Sequence, residues 1–170
     1  RIRWEYLLGI IKIGLPAGLQ SMVFSLSNVV IQAAINSFGS DGIAGSTAEQ
    51  NFEFMAYFVI NAFAQTATTF TSQNFAAQDK ERCKKIYRLC TFIGLASCLG
   101  LSMIFLIGRH LFIQIFSTDE NVIHYAMIRM WSVCLLELLT GVYEISGGCL
   151  RGMGHSMTPA VITVLGTCVF

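Results

Sequence analysis

The apolar stretch from Ile13 to Phe38 decides the fold, and it reads IGLPAGLQSMVFSLSNVVIQAAINSF. It carries no charged residue and exceeds the about 20 helical residues that cross a hydrocarbon core. In lipid the backbone must satisfy its own hydrogen bonds, so a lone segment of this length is expected to be a helix. The whole chain is 54% hydrophobic and 12% charged, against about a quarter charged in soluble domains. The sequence therefore predicts an all-α, polytopic transmembrane helix bundle.

Four further apolar runs follow the first, separated by short polar segments such as Gly39–Gly42 and Ser117–Glu120. We expect one unit over residues 1–170. Its predicted helices cover about residues 13–38, 47–76, 84–108, 120–149 and 156–170, the last of them cut short. The chain opens without Met and ends inside an apolar run, so we expect an internal piece of a longer protein.

Basic residues concentrate on one predicted side of the bundle. The densest group lies between the second and third runs and comprises Lys80, Arg82, Lys84, Lys85 and Arg88. The positive-inside rule places this loop, the N-terminal end and Arg151 on the cytoplasmic side of a cell membrane (plasma or inner), crossed several times. A net charge of +1 gives no reason to expect a nucleic-acid partner, so the basic loop is interpreted as a topology determinant.

The first run carries a stripe of polar side chains. On a helical wheel they fall within an arc of about 80°, and they are Ser21, Ser25, Asn28, Gln32 and Asn36. Polar groups at membrane depth are functional candidates, so we expect Asn28, Gln32 and Asn36 to line a substrate or ion pathway. The alternative is helix–helix packing through small and polar residues.

The second run places Glu53, Tyr57 and Asn61 at spacings of four, on one helical face. A carboxylate inside the membrane must hold a proton or find a cation partner, and either suits ion coupling. We therefore assign all three residues to the pathway. The alternative is an interfacial carboxylate that reaches water, and Glu49, nearer the outer end, is expected to be solvated.

The fourth run holds Glu137 and Glu144, and Arg151 follows at the same spacing of seven. If the helix continues that far, all three share a face. Glu137 falls near mid-membrane without an evident partner, which makes it an ion-pathway candidate or else a hydrogen-bonded structural carboxyl. Glu144 and Arg151 are candidates for an inner salt bridge or gate.

Residues suited to catalysis or metal binding are not arranged in a recognisable pattern. The six cysteines form no CxxC pair, and no Ser-His-Asp or Cys-His combination is apparent. We expect thiols packed as small hydrophobes, no metal site, no catalytic residues, no cofactor and no enzyme activity.

Three segments, in this order and separation, carry a family resemblance: IGLPAGLQ at Ile13–Gln20, SQNFAA at Ser72–Ala77, and LRGMG at Leu150–Gly154 with Pro159 beyond it. The chain resembles the C-terminal lobe of the multidrug and toxic compound extrusion (MATE) family. By this resemblance, its five runs look like helices seven to eleven of a twelve-helix, two-lobe transporter. Residues that the resemblance marks as structural or gating are Pro16, Gln73, Asn74, Glu144, Arg151, Gly152 and Gly154.

The resemblance implies an antiporter that exchanges Na⁺ or H⁺ for cationic, amphipathic drugs or metabolites by alternating access. The implied partners are a small-molecule cation, membrane lipid and the N-terminal lobe of the same protein. Some members carry cation-coupling acids at positions that here hold Phe24 and Thr140, so that particular site is expected to be absent. Coupling would then use the other lobe or Glu53. The alternatives are a lipid-linked oligosaccharide flippase of the same superfamily and a non-transport membrane subunit.

Overall fold

Six helices and no strands make up the described part of the chain. The computed structural model describes residues 3–169, and the side chains of all of these except 135 and 167–169. The helices are α1 (Trp4–Asn36), α2 (Gly39–Ala76), α3 (Lys80–Ile107), α4 (Arg109–Gln114), α5 (Glu120–Gly152) and α6 (Met157–Val169). The all-α class predicted from the apolar runs is confirmed, and the predicted end of the last helix at residue 170 lies outside the described residues.

Two of the helices, α1 and α3, are long and apolar enough to cross a membrane. A third candidate is α5, whose halves Glu120–Cys134 and Leu136–Gly152 are bent by 44° and qualify when they are counted together. The longest helix, α2, carries too many polar residues to qualify by composition. The membrane bundle is therefore supported by two or three spans, and crossing by α2 and α6 stays a prediction.

The boundaries of the first two helices differ from those predicted. The segment Gly39–Gly42, interpreted as a loop, forms the first turn of α2, and only Ser37 and Phe38 separate α2 from α1. A connection this short is possible because Gly39 adopts a φ of +80°, a region that glycine enters without steric cost. At the other end, α1 begins at Trp4, which places Pro16 in the helix interior instead of its first turn.

The segment between the third and fourth predicted helices is also more ordered than expected, because it contains α4. The start of α5 is capped by a side chain. The Asp119 side chain accepts a hydrogen bond of 2.9 Å from the backbone N–H of Asn121, which satisfies a free donor of the first turn. The C-terminal end runs past the predicted residue 149, so Arg151 lies in the last turn of α5.

Close packing of α2 against α5 forms the centre of the fold. A Cβ added to Gly148 or Gly152 would lie 2.5 Å from the backbone oxygens of Ala64 and Thr68, respectively. The Thr68 hydroxyl also donates to the Gly148 carbonyl across 3.0 Å. Small residues at a spacing of four let helix backbones approach directly, as in other membrane bundles. Helix α3 packs against both of these helices, and α1 packs mainly against α6.

Candidate functional site

The buried charges of the fold meet between α2 and α5. Arg129 Nε lies 2.6 Å from Glu49 Oε2, and Arg129 Nη2 donates a hydrogen bond of 2.8 Å to Glu53 Oε2. The third guanidinium nitrogen, Nη1, donates to the hydroxyl of Ser46. One arginine from α5 therefore clamps three side chains of α2, which uses the planar, multi-donor geometry of the guanidinium.

Local helix geometry explains this arrangement. Glu49 and Glu53 are four residues apart, so they project from the same face of α2. Gly45, one turn earlier, lets α5 approach, because a Cβ there would lie 2.6 Å from the carbonyl oxygen of Val122. The approach of the two backbones brings the Arg129 side chain onto the acidic face.

Burial differs sharply within the cluster. The Glu49 side chain is 2% exposed, whereas Glu53 is 31% exposed and Arg129 is 22% exposed. The expectation that Glu49 is solvated is therefore wrong. The physical reason is that α2 begins at Gly39, so Glu49 lies in the third turn, packed against α5, instead of at a helix end.

Glu137 of α5 faces the same region, but it has no ion pair. It is 6% exposed, and its Oε1 atom is buried without a hydrogen-bond partner. Glu137 lines a cavity of about 10 Å³ together with Glu49, Glu53 and Ser102. That volume is about the space of one water molecule. The rest of the wall is mainly apolar and includes Phe52, Ala56, Phe105, Met130, Val133 and Cys134.

The cluster is unbalanced in charge. Three carboxylates face one guanidinium, and the ion pairs found over residues 3–169 supply no second cation to them. An uncompensated buried charge costs several kcal/mol, so the unpaired carboxylate must bind a proton, a cation or water. The arrangement is chemically suited to holding a proton or a small cation between α2 and α5.

The other pathway candidates on α2 lie beyond this cavity. The Asn61 amide donates to the Tyr57 hydroxyl across 3.3 Å, and both side chains are half-buried. They continue the helical face of Glu53, but neither of them lines the cavity. Of the candidates in the second and fourth predicted helices, the structure therefore brings Glu53 and Glu137 together at one cavity.

The polar stripe of α1 stands apart from the carboxylates. Asn28 and Asn36 are exposed, and Gln32 is half-buried and donates to Asn36 Oδ1 across 3.0 Å. The packed side of α1 holds the buried residues Pro16 and Gln20, which lie on a different part of the helix surface from the polar stripe. The stripe therefore faces away from the α6 contact, and its role as a cavity wall stays a prediction.

Glu144 and Arg151 form the ion pair that their spacing allowed, with Arg151 Nη2 3.5 Å from Glu144 Oε2. Both side chains are half-buried near the C-terminal end of α5. Two residues beyond that helix's last residue, Gly154 has a φ of +85°, and the His155 N–H bonds to the Leu150 carbonyl across 2.9 Å. This is a glycine-dependent helix stop. Gly152 has a packing role against α2, as described above.

Gln73 and Asn74 lie in the last turn of α2. The carbonyl of Gln73 accepts the Ala77 N–H, and the carbonyl of Asn74 accepts the Asp79 N–H across 3.0 Å. The Asn74 amide group also donates to the Phe70 carbonyl at 2.7 Å. In this conformation both residues shape the connection to α3, and their functional role is untested.

Sequence reasoning missed two features of the site. One is Arg129, which lies inside the fourth apolar run, where an arginine demands acidic partners that the sequence alone does not identify. The other is Gln20, which is buried and whose amide donates to Tyr143 Oη at 2.8 Å and to Thr163 Oγ1 at 2.9 Å. That polar junction joins α1, α5 and α6.

Fold and site together define a helical membrane protein that buries an acidic cluster between two packed helices. The MatE family model matches residues 16–170 of this chain. The chain therefore belongs to the MatE family, and the resemblance found in its sequence is confirmed.

Relatives named for multidrug resistance or export agree with this assignment. The chain is 22% identical to a probable multidrug resistance protein, YoeA, of Bacillus subtilis, over 94% of this chain and 35% of that protein. It is 20% identical to a probable multidrug resistance protein, NorM, of Thermotoga maritima, over 96% of this chain and 35% of that protein. It is 24% identical to the multidrug export protein MepA of Staphylococcus aureus, over 95% of this chain and 36% of that protein. The chain thus spans about a third of the length of these relatives.

Proposed function

We propose that this chain is part of a cation-coupled antiporter in the cell membrane that exports cationic, amphipathic compounds by alternating access. Membership of the MatE family and relatives named for multidrug resistance and export support transport instead of catalysis. The observation that carries the coupling proposal is the buried, unbalanced cluster of Glu49, Glu53 and Glu137 around Arg129.

The coupling ion would act on the unpaired member of this cluster. Glu137 Oε1 has no hydrogen-bond partner and faces a cavity the size of one water molecule. A proton on Glu137 removes the unpaired charge without any rearrangement. A sodium ion would need several oxygen ligands, and two of the carboxylates at the cavity, Glu49 and Glu53, already contact Arg129. Na⁺ binding would therefore require Arg129 to move.

Arg129 provides the link between ion binding and helix position. It acts as a tethered cation between Glu49 and Glu53, so any added cation competes with it for the same carboxylates. Release of Arg129 would weaken the clamp between α2 and α5. This competition is how ion uptake would change the packing of the two helices and, with it, access to the substrate cavity.

The substrate pathway would need a surface outside this cluster. The exposed stripe of Asn28, Gln32 and Asn36 on α1 is the proposed wall facing the N-terminal lobe, which completes the cavity. Paired lobes with sites near the midplane are the general design of secondary transporters. Tyr57 and Asn61 would extend the polar path along α2 from Glu53.

The oligosaccharide flippase is the weaker alternative. A flippase cavity that holds a pyrophosphate group requires free positive charge. Arg129, the basic residue inside the fourth predicted span, is already engaged by two carboxylates, and the local excess charge is negative. These contacts favour a cationic substrate or ion over an anionic one.

The full-length protein tests the proposal in proteoliposomes with an imposed Na⁺ or H⁺ gradient. Efflux of a fluorescent organic cation should follow one gradient in the wild type. It should fall about tenfold or more in Glu137→Gln and Glu53→Gln, with expression unchanged. Glu120→Gln, an exposed carboxylate at the start of α5, is the matched control and should transport normally. Wild-type efflux in both cluster variants would refute the assignment of the carboxylates.

A further inference from the structure

Helix α3 carries a continuous exposed face that changes from basic to apolar along its length. On a helical wheel this face spans an arc of about 120°. Its members, which we call the basic–apolar face, are Arg82, Lys85, Arg88, Leu89, Phe92, Ala96 and Leu99. The opposite side of α3 holds Cys90, Gly94 and Cys98, which are buried against the bundle.

The cations of this face are free of internal partners. Glu81 lies on the same arc as these cations, but its carboxylate is paired at 2.8 Å with Lys84, which lies beside the face. Among residues 3–169, no carboxylate is found in an ion pair with Arg82, Lys85 or Arg88. Asp79 caps only the backbone N–H of Arg82, at 3.0 Å, and leaves the guanidinium available. Three adjacent positive charges on successive turns therefore face outward.

A depression of about 620 Å³ lies among these side chains. Its lining residues are Asp79, Glu81, Arg82, Lys84, Lys85 and Arg88, so four cations outnumber two carboxylates. Immediately below on the same face, Leu89 and Phe92 are exposed, with Phe92 75% exposed. The polar end thus offers an anion site, and the next turns offer a surface for hydrocarbon.

We propose that the basic–apolar face of α3 binds an anionic phospholipid. Its headgroup phosphate would contact Arg82, Lys85 and Arg88, and its acyl chain would lie along Leu89 and Phe92. Charge complementarity selects an anionic headgroup, and α3 is itself long and apolar enough to span the membrane, so the change from basic to apolar falls at a lipid interface. A free phosphate would use the cations but not the exposed apolar residues below them.

Purified full-length protein in detergent tests this proposal, because one lipid at a time can then be added to it. Phosphatidylglycerol should raise the thermal unfolding midpoint several-fold more than phosphatidylcholine does. Arg82→Gln/Arg88→Gln should lose most of that gain. The matched control is Lys12→Gln/Lys80→Gln, which removes two exposed cations outside the face and should keep the gain. In native mass spectrometry, the wild type and the control should retain more phosphatidylglycerol than the Arg82→Gln/Arg88→Gln variant does.

Four results would overturn the proposal. Equal gains from phosphatidylglycerol and phosphatidylcholine would show no selection for charge. If the control variant loses as much of the stabilisation by phosphatidylglycerol as the double variant does, the attraction is diffuse and there is no defined site. An equal gain from inorganic phosphate would identify a free-anion site instead of a lipid site. If the double variant does not fold, Lys85→Gln replaces it, and an unchanged gain in that variant would also exclude the site.

Discussion

Arg129 and Glu49 are joined by a contact of 2.6 Å that is an ion pair and not an aligned hydrogen bond. The distance separates Arg129 Nε from Glu49 Oε2, yet that oxygen has no hydrogen bond of acceptable geometry. Glu53 instead receives an aligned hydrogen bond from the same guanidinium at 2.8 Å. Glu49 is also the more buried carboxylate, so electrostatic attraction, more than directional bonding, keeps it in place.

The unequal burial of Glu49 and Glu53 predicts unequal losses of stability when each is replaced by alanine. Glu49→Ala should destabilise the folded protein by about 1–3 kcal/mol, because Arg129 Nε loses its most buried partner while the guanidinium keeps Glu53. Glu53→Ala should cost about 1 kcal/mol, because Glu53 is partly exposed and screened by solvent. Thermal and denaturant unfolding of the purified protein in detergent measure both. A double-mutant cycle of Glu49→Ala with Arg129→Ala should show coupling, and additive losses would contradict the pairing.

Replacing Glu137 should abolish transport without lowering the stability of the fold. Its buried oxygen lacks a partner, so Glu137→Leu removes a group that is costly to bury and should leave the unfolding midpoint unchanged or raise it. Ion-driven efflux should nevertheless be lost in proteoliposomes. A large fall in the unfolding midpoint would instead assign Glu137 a structural role, which is the alternative that its sequence left open.

The α2–α5 interface should reject even one added methyl group. Gly152→Ala would place a Cβ 2.5 Å from the Thr68 carbonyl oxygen, so the backbones must separate at a cost of about 1–3 kcal/mol. Gly100→Ala in α3 is the control, because nothing lies within 4 Å of its Cβ position. Helix propensity should make that control neutral or stabilising by about 0.5–1 kcal/mol. Similar unfolding midpoints for both variants would argue against the close approach.

The Glu144–Arg151 pair should matter more for transport than for stability. At 3.5 Å and with both side chains partly exposed, the pair contributes about 1 kcal/mol or less. If it acts as a gate, Arg151→Glu should reduce efflux, and the exchange Glu144→Arg/Arg151→Glu should restore part of it. Transport assays with the three variants check this. A swapped protein as inactive as the single variant would show that Arg151 acts through another contact.

The orientation of the bundle can be tested at the basic loop. A single cysteine introduced as Lys84→Cys, in a background with its native cysteines replaced, should react with a membrane-impermeant maleimide only from the cytoplasmic side. Exposed Lys84 is accessible for such labelling. A cysteine at Ser40, close to the α1–α2 turn, should react from the opposite side. The reverse pattern would overturn the predicted topology.

Hydrophobicity alone was enough to predict the long helices, but not the short helix α4. The apolar runs around Val30 and Leu99 have no other stable state in lipid, so the all-α class follows from backbone hydrogen bonding. Their exact ends did not follow, because the α1–α2 turn depends on the positive φ of one residue, Gly39. A polar segment of four residues resembles a loop equally well whether it connects helices or starts one.

The site was predicted only in part, because its contacts depend on how the helices pack against one another. The sequence indicated that Glu53 needs a proton or a cation partner, and the structure supplies Arg129. The identity of that partner depends on which helices are neighbours and how each is rotated, and neither is encoded in the pattern of a single helix. The burial of Glu49 depends on the same packing. The α1 stripe of Asn28, Gln32 and Asn36 remains a prediction that only the complete protein can test.

The bend in α5 has a mechanical consequence. The 44° change of direction lies between Cys134 and Leu136, with the Arg129 cluster on one side and the Glu144–Arg151 pair on the other. From the bend to Arg151 the helix is about 24 Å long at 1.5 Å per residue. A change of about 5° in the bend would therefore carry Arg151 about 2 Å relative to the first half of α5, and Glu144 would move with it because both lie on the same half of the helix. In α5, displacing one guanidinium on the shorter side of the bend can therefore shift the intact Glu144–Arg151 pair on the longer side against the helices around it.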